Sequence, residues 1–290
     1  MAKGSFGTEQ TGITSRLSTD RHRSAARRAR GGLGWFLATS LLWAGTGAHP
    51  ADADDVAAVY AASWAGLPAA QIRLTLTENK GGYSSQIEIT TEGLPALLSR
   101  FRATAVAEGR LDADRAVQPK LYDAVYDLRK RHNSHISMLF IDRGGAFVAE
   151  RGPEDTSHKP PLDEGFRRNA VDPLTALERI RESLRALKQL PEGSFTVPVY
   201  DGARRFDIIG HMLPSKDTAD SARQVELTLR PIAGFKGETS DDGDPDNAPR
   251  KVALTVTNDE RVMPLSITVP VFYLPLVVRL DHFCGATDTC

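Results

Sequence analysis

Three things are scarce in this chain of 290 residues: cysteine, long apolar runs, and basic charge beyond the N-terminal segment. The two cysteines, Cys284 and Cys290, both stand at the C-terminal end and form no C-x-x-C pair, so the chain carries no thiol redox motif. No G-x-S-x-G elbow, phosphate-binding glycine loop or H-E-x-x-H zinc pair occurs either. An enzyme would have to gather its site from scattered residues, and no catalytic residue is assigned. No cofactor is expected.

The first 53 residues hold seven of the 36 basic and three of the 37 acidic side chains, which leaves 29 basic against 34 acidic, a charge near −5. Binding to a phosphate backbone needs a concentrated basic surface, so nucleic acid is excluded as a partner. With 41% apolar and 25% charged residues the chain as a whole has the composition of a globular protein with a sizeable core.

What the N-terminal segment does hold is the order of a signal peptide. Arg21, Arg23, Arg27, Arg28 and Arg30 precede an uncharged stretch from Gly31 to Gly47. Its apolar part, Gly32 to Gly45, is shorter than the roughly 20 residues that a spanning helix needs and fits a cleavable hydrophobic region. Cleavage fits after Ala48 or after Ala53, where Ala51-Asp52-Ala53 has the small-x-small form. The expectation is therefore residues 1–53 as N-terminal extension and signal, residues 54–290 as one exported domain, and no stable transmembrane span once the signal is removed. An uncleaved anchor is the competing reading. Ordinary Sec export is expected, with Arg27-Arg28 leaving the twin-arginine route open. In an oxidising compartment Cys284 and Cys290 are candidates for a short disulfide loop; two idle thiols or an intermolecular bridge are the alternatives.

From Asp54 onward the dominant signal is alternation of apolar and polar residues, the period of a strand with one face in a core. Ile72, Leu74 and Leu76 alternate with Arg73 and Thr75, Asn79 to Gly82 supply a turn, and Tyr83, Ile87 and Ile89 begin the return strand. About ten strands are expected in all. One helix is predicted over Pro173 to Gln189, with Asp172 as N-cap and Leu174, Leu177, Ile180, Leu184 and Leu187 in one stripe opposite Arg179, Arg181, Glu182 and Arg185. Strands in succession with no βαβ alternation predict a mainly β fold: an antiparallel curved sheet or open β-barrel with one principal helix packed on it.

Candidate sites are few. His132 and His135 lie three apart, which in a strand puts them on opposite faces, so ordinary polar roles are expected and no metal site is assigned. Asp242, Asp244 and Asp246 have calcium-loop spacing, but Asn247 and Ala253 break the pattern. The most apolar segment of the domain, Val269 to Val278, contains Pro270 and Pro275, so it is either a bulged edge strand or a wall against an apolar interior. The plainer account is that the segment completes the core; the sharper one makes Phe272, Tyr273, Leu274 and Leu276, with Leu177 and Leu184 of the helix, the lining of a site for a lipid-like ligand.

Short motifs run through the same region: Tyr60, Trp64-Ala65-Gly66-Leu67, Gly82-Tyr83, Glu108-Gly109, Pro119-Lys120-Leu121-Tyr122, Asp172-Pro173-Leu174, Tyr200-Asp201-Gly202 and Pro264. Their order resembles a family of uncharacterised bacterial periplasmic proteins, domain of unknown function 3108. The resemblance implies an exported β-rich domain, similar to the open barrels of periplasmic lipoprotein carriers, and implies no activity and no catalytic residues. The functional expectation is a non-catalytic envelope module for an apolar or lipid-like ligand. A periplasmic scaffold or assembly factor for envelope protein partners is the alternative, and a hydrolase ranks last.

Overall fold

A computed structural model describes residues 54–93, 96, 100–128, 131–156, 160–189, 193–214, 221–235, 248–271 and 274–284. Thirteen strands form one antiparallel sheet: β1 (Asp54–Trp64), β2 (Leu67–Asn79), β3 (Gly82–Thr91), β4 (Arg102–Leu111), β5 (Val117–Leu128), β6 (Arg131–Asp142), β7 (Phe147–Arg151), β8 (Ser194–Tyr200), β9 (Arg205–Met212), β10 (Ala222–Ala233), β11 (Arg250–Thr257), β12 (Pro264–Val271) and β13 (Leu274–Cys284). Neighbours in sequence pair with each other, and β1 pairs with β13, so the two ends of the domain meet in the middle of the sheet. The fold is the expected antiparallel open barrel, with more strands than the sequence suggested. β1 in particular gives no period-two signal, because its alanines put apolar groups on both faces.

The sheet curls until its outer strands, β7 and β8, nearly meet, and the residues just before the long helix join them. Arg168 bridges to Val148 of β7, and Val171 bridges in parallel to Val199 of β8. Asn169 N–H donates to the Phe147 carbonyl at 2.9 Å and Val171 N–H to the Pro198 carbonyl at 2.9 Å. Edge groups of both strands are thus paired inside the molecule and not offered to another chain. Turning from one edge to the other requires Asn169 at φ 57°, a left-handed conformation that asparagine tolerates better than most residues.

The segment Val269 to Val278 is the hairpin of β12 and β13, with Pro270 opposite Pro275 next to the tip. Both strands lie inside the sheet order, so of the two readings offered for this segment the edge strand is the one the structure replaces. Proline is tolerated there because the ladder ends at the hairpin tip.

The long helix (Pro173–Ala186) starts where expected: Asp172 Oδ1 accepts from the N–H groups of Leu174 at 3.0 Å and Thr175 at 2.8 Å, and Pro173 occupies the first turn. A single turn of 3-10 helix, Leu187–Gln189, ends it. A shorter helix, Glu164–Arg167, precedes it within the otherwise irregular stretch after β7. The long helix does not simply lay one apolar stripe on the sheet. Arg181, which the sequence pattern places opposite the apolar stripe, and Glu178 are each only 3% exposed. Both sides of the helix are enclosed, so it occupies the concave interior and does not cover it from outside.

Candidate functional site

The interior divides into two unequal parts on either side of the helix. Toward β2–β8 the helix is clamped by polar contacts and the wall is sealed. Ala105, Ala107, Tyr122, Ala124, Met138 and Ala149 project there from β4 to β7 and are all buried, the small residues making room for the helix backbone. Toward β9–β13 the strand side chains that face the helix are mostly apolar, polar contacts being made near its C-terminal half to the Glu260 and Arg261 carbonyls and from Arg223, and the covering is incomplete.

The clamp is a chain of buried hydrogen bonds. Thr175 Oγ1 donates to Asp172 Oδ2 at 2.6 Å and shares its hydrogen-bonding with the Tyr83 hydroxyl at 2.7 Å. One turn on, Ser85 Oγ donates to Glu178 Oε1 at 2.6 Å, and Arg181 Nη1 donates to Glu178 Oε2 at 2.6 Å. Arg181 also reaches Glu78 on β2 at 3.1 Å and the Arg261 carbonyl at 2.8 Å and 3.0 Å. Burial would raise the Glu78 carboxyl, but Arg115, Arg185 and Arg181 around it outweigh that and hold it below the ordinary range. Burial raises Asp172 to about 6 despite the bonds it accepts from Thr175 and Leu174. Tyr83 and Tyr60 are pushed upward by burial and remain neutral.

The opposite wall is apolar. Ile208 faces Leu229 across β9 and β10, Ile267 faces Leu254 and Val278, and Val269 faces Leu276. Directly paired residues point to the same side of a sheet, so these share the interior with the buried Leu254. Yet Ile208, Leu229, Ile267, Val269, Leu276 and Val278 are only half-buried. A cavity of about 140 Å³ lies between this wall and the helix, lined by Leu177, Ile180 and Leu184 on one side and Leu227, Leu254 and Ile267 on the other. Two residues further along β9 and β10, Phe206 and Leu229 border a second cavity of about 230 Å³ with Pro231 and Phe235. Together these two recesses, the first walled by the helix and the second bordered also by Arg204 and Arg250, form a trough along the inward faces of β9 and β10.

The residues singled out from sequence fall in different places. Leu177 and Leu184 line the cavity, Leu184 fully buried and Leu177 packed near Val278 and Leu280. Leu276 is on the half-covered wall. Leu274 is 45% exposed and borders another recess of about 370 Å³, with Leu213, Lys251, Thr268 and Pro270. Phe272, Tyr273 and Cys290 lie outside the described residues; Cys284 ends β13 half-buried. The acidic loop Asp242 to Asp246 and the side chain of His132 are likewise outside them. His135 is bonded to Asp123. Among the described residues no group of three or more His, Cys, Asp or Glu side chains converges as metal ligands would. Sequence reasoning did not find Ile208, Leu227, Leu254 and Ile267, because every strand carries inward apolar residues and nothing local marks which of them the helix leaves uncovered.

Most of the short motifs support the frame and not the trough. A Cβ on Gly109 would lie 2.4 Å from the Tyr83 ring and 2.2 Å from the Gln118 carbonyl oxygen, so glycine there lets Tyr83 lie flat against β4 and reach the helix. The register shift between Glu108 and Gly109 opposes Lys120 to no partner, which accounts for Glu108-Gly109 and Pro119-Lys120 as two sides of one bulge. In the turn after β8, Asp201 accepts from the N–H groups of Ala203 at 3.0 Å and Arg204 at 2.7 Å.

No curated protein matches the chain. Among solved structures, the chain is similar to a beta-barrel-like protein of the domain of unknown function DUF1849 from Brucella abortus, at 12% identity, covering 79% of this chain and 96% of that one with a TM-score of 0.49. The sequence pattern of the family described as "Protein of unknown function (DUF3108)" matches residues 59–274. That span runs from β1 to the first residue of β13 and takes in the clamp, the bulge and the β9–β12 side of the trough, and the chain therefore belongs to the DUF3108 family.

Proposed function

We propose that the domain is an exported, non-catalytic binding module that takes an apolar or lipid-like molecule into the trough between the long helix and β9–β13. One observation carries this reading: the inward face of β12 and β13 is apolar but half-covered, while the β4–β7 face is sealed by the same helix. Covering such a wall with hydrocarbon gains roughly 25 cal/mol per Å². The cavities, about 140 Å³ and 230 Å³, are individually below the roughly 300 Å³ typical of ligand pockets. A full-length ligand would therefore join them, with the helix shifting on its apolar side while the polar clamp holds the other. Export is supported by the arginine-rich segment followed by an uncharged apolar stretch.

The test is native mass spectrometry of the protein purified from its own envelope fraction, followed by solvent extraction. The expected result is a bound species released as an amphiphile on extraction. A homogeneous, empty protein that also fails to take up added lipid would overturn the proposal.

A further inference from the structure

Among the described residues, Arg223 is the cation whose side-on guanidinium edge is buried without a hydrogen-bond partner. It stands on β10 directly opposite Val256 and two residues before the buried Val225, so its side chain enters on the inward face. Nη1 donates to the Leu184 carbonyl at 2.8 Å, near the end of the long helix. Nε and Nη2 are buried and have no hydrogen-bond partner. Leu184 and Val256, its two immediate neighbours, both line the cavity beneath the helix. The nearest acids do not use the fork: Asp259 bonds Thr257 and Arg261, and Glu260 pairs with Lys188.

Leaving two guanidinium donors buried without an acceptor is costly, and this Nε and Nη2 edge is the pair of parallel donors that fits a carboxylate in two-point contact. We propose that Arg223 receives the carboxylate of a long-chain fatty acid whose tail runs along the half-covered wall toward the β12–β13 hairpin tip. This rests on the reading of the trough as a binding site. Through Val256 and its partner Pro264, Arg223 is level with the start of β12. From there to Val271 is about 23 Å of strand at roughly 3.3 Å per residue, the span of an extended long acyl chain. A diacyl lipid, with two chains and a headgroup diester, is too bulky to enter head first.

The experiment measures calorimetric binding of palmitate, hexadecanol and hexadecyl phosphate to the delipidated full chain and to Arg223→Leu. Palmitate is expected to bind the unmodified protein at least tenfold more tightly than hexadecanol, and Arg223→Leu to lose that preference while still binding hexadecanol. Equal binding of acid and alcohol by the unmodified protein overturns the role of Arg223 but leaves the trough reading intact. A preference that survives in Arg223→Leu also overturns it. Hexadecyl phosphate binding tenfold more tightly than palmitate replaces the carboxylate with a phosphate monoester and overturns the fatty-acid assignment. If no probe binds, both readings fall together. Should Arg223→Leu not fold, Arg223→Lys, which keeps the charge but not the fork, is expected to weaken palmitate several-fold, and unchanged palmitate binding overturns the proposal.

Discussion

Asp172 caps the long helix from a position with no exposure to water, and these two facts pull its ionisation in opposite directions. The cap contacts favour the carboxylate, burial favours the neutral acid, and burial prevails, raising it to about 6 from an ordinary 3.8. Because the folded value lies above the unfolded one, the stability that Asp172 contributes is fully present below about pH 3.8 and is lost as pH rises through about 6. The gap corresponds to roughly 3 kcal/mol. Glu78, Asp207 and Asp259 are shifted downward and act with the opposite sign, so the effect has to be isolated by comparison. Asp172→Asn keeps an N-cap acceptor but does not titrate. In urea unfolding between pH 4 and pH 7, the unmodified protein is expected to lose about 2 kcal/mol relative to this variant, the rest of the gap being lost already below pH 4. Stability curves that stay parallel across that range would mean the carboxyl is not buried as described.

At the scale of the element, the long helix is held by a buried ion pair, one member of which, Arg181, the sequence pattern places opposite the apolar stripe. Glu178 and Arg181 are both nearly inaccessible and share hydrogen bonds with Ser85, Glu78 and the Arg261 carbonyl. Removing one partner of such a pair strands the other charge in the interior, at a cost of about 3–5 kcal/mol, whereas apolar replacement of both is much milder. Arg181→Met is therefore expected to lower the free energy of unfolding by that amount, and Glu178→Leu combined with Arg181→Met to recover a clear part of the loss. A double variant as unstable as the sum of its singles would show that the two side chains do not act together. Here the limits of sequence reading have a physical cause. The cap, the first-turn proline and the helix itself were legible because their signals are local, as was the β2–β3 hairpin with its clean alternation. The burial of Glu178 was not, since its partner Ser85 lies 93 residues away and nothing in a helical charge pattern tells a solvated face from a buried polar one. β1 was missed for the reason that Ala58 and Val59, adjacent in sequence, are both buried.

For the whole molecule, the question is which surface of the thirteen-stranded sheet meets a ligand, since apolar recesses lie on either side of it. The trough is inside, and Leu276 and Val278 project from β13 on that side as partners of Val269 and Ile267, while Val277 between them pairs with Thr268 and Ser63 on the outward side, where Thr268 borders the recess at Leu274. Val277 and Val278 are both half-buried, so a carboxylate at either position perturbs the fold to a similar degree. Their effects on binding should differ. Val278→Asp places an ionised group where hydrocarbon would pack, and leaving it unpaired there costs at least about 1.4 kcal/mol, or tenfold in affinity. Val277→Asp leaves the inner wall unchanged. Hexadecanol affinity, free of any headgroup contribution, is therefore expected to fall by tenfold or more in Val278→Asp and to stay within about twofold in Val277→Asp. The reverse order would move the ligand to the outer recess, leaving the half-covered wall of β12 and β13 as a packing defect of the barrel and not its binding surface.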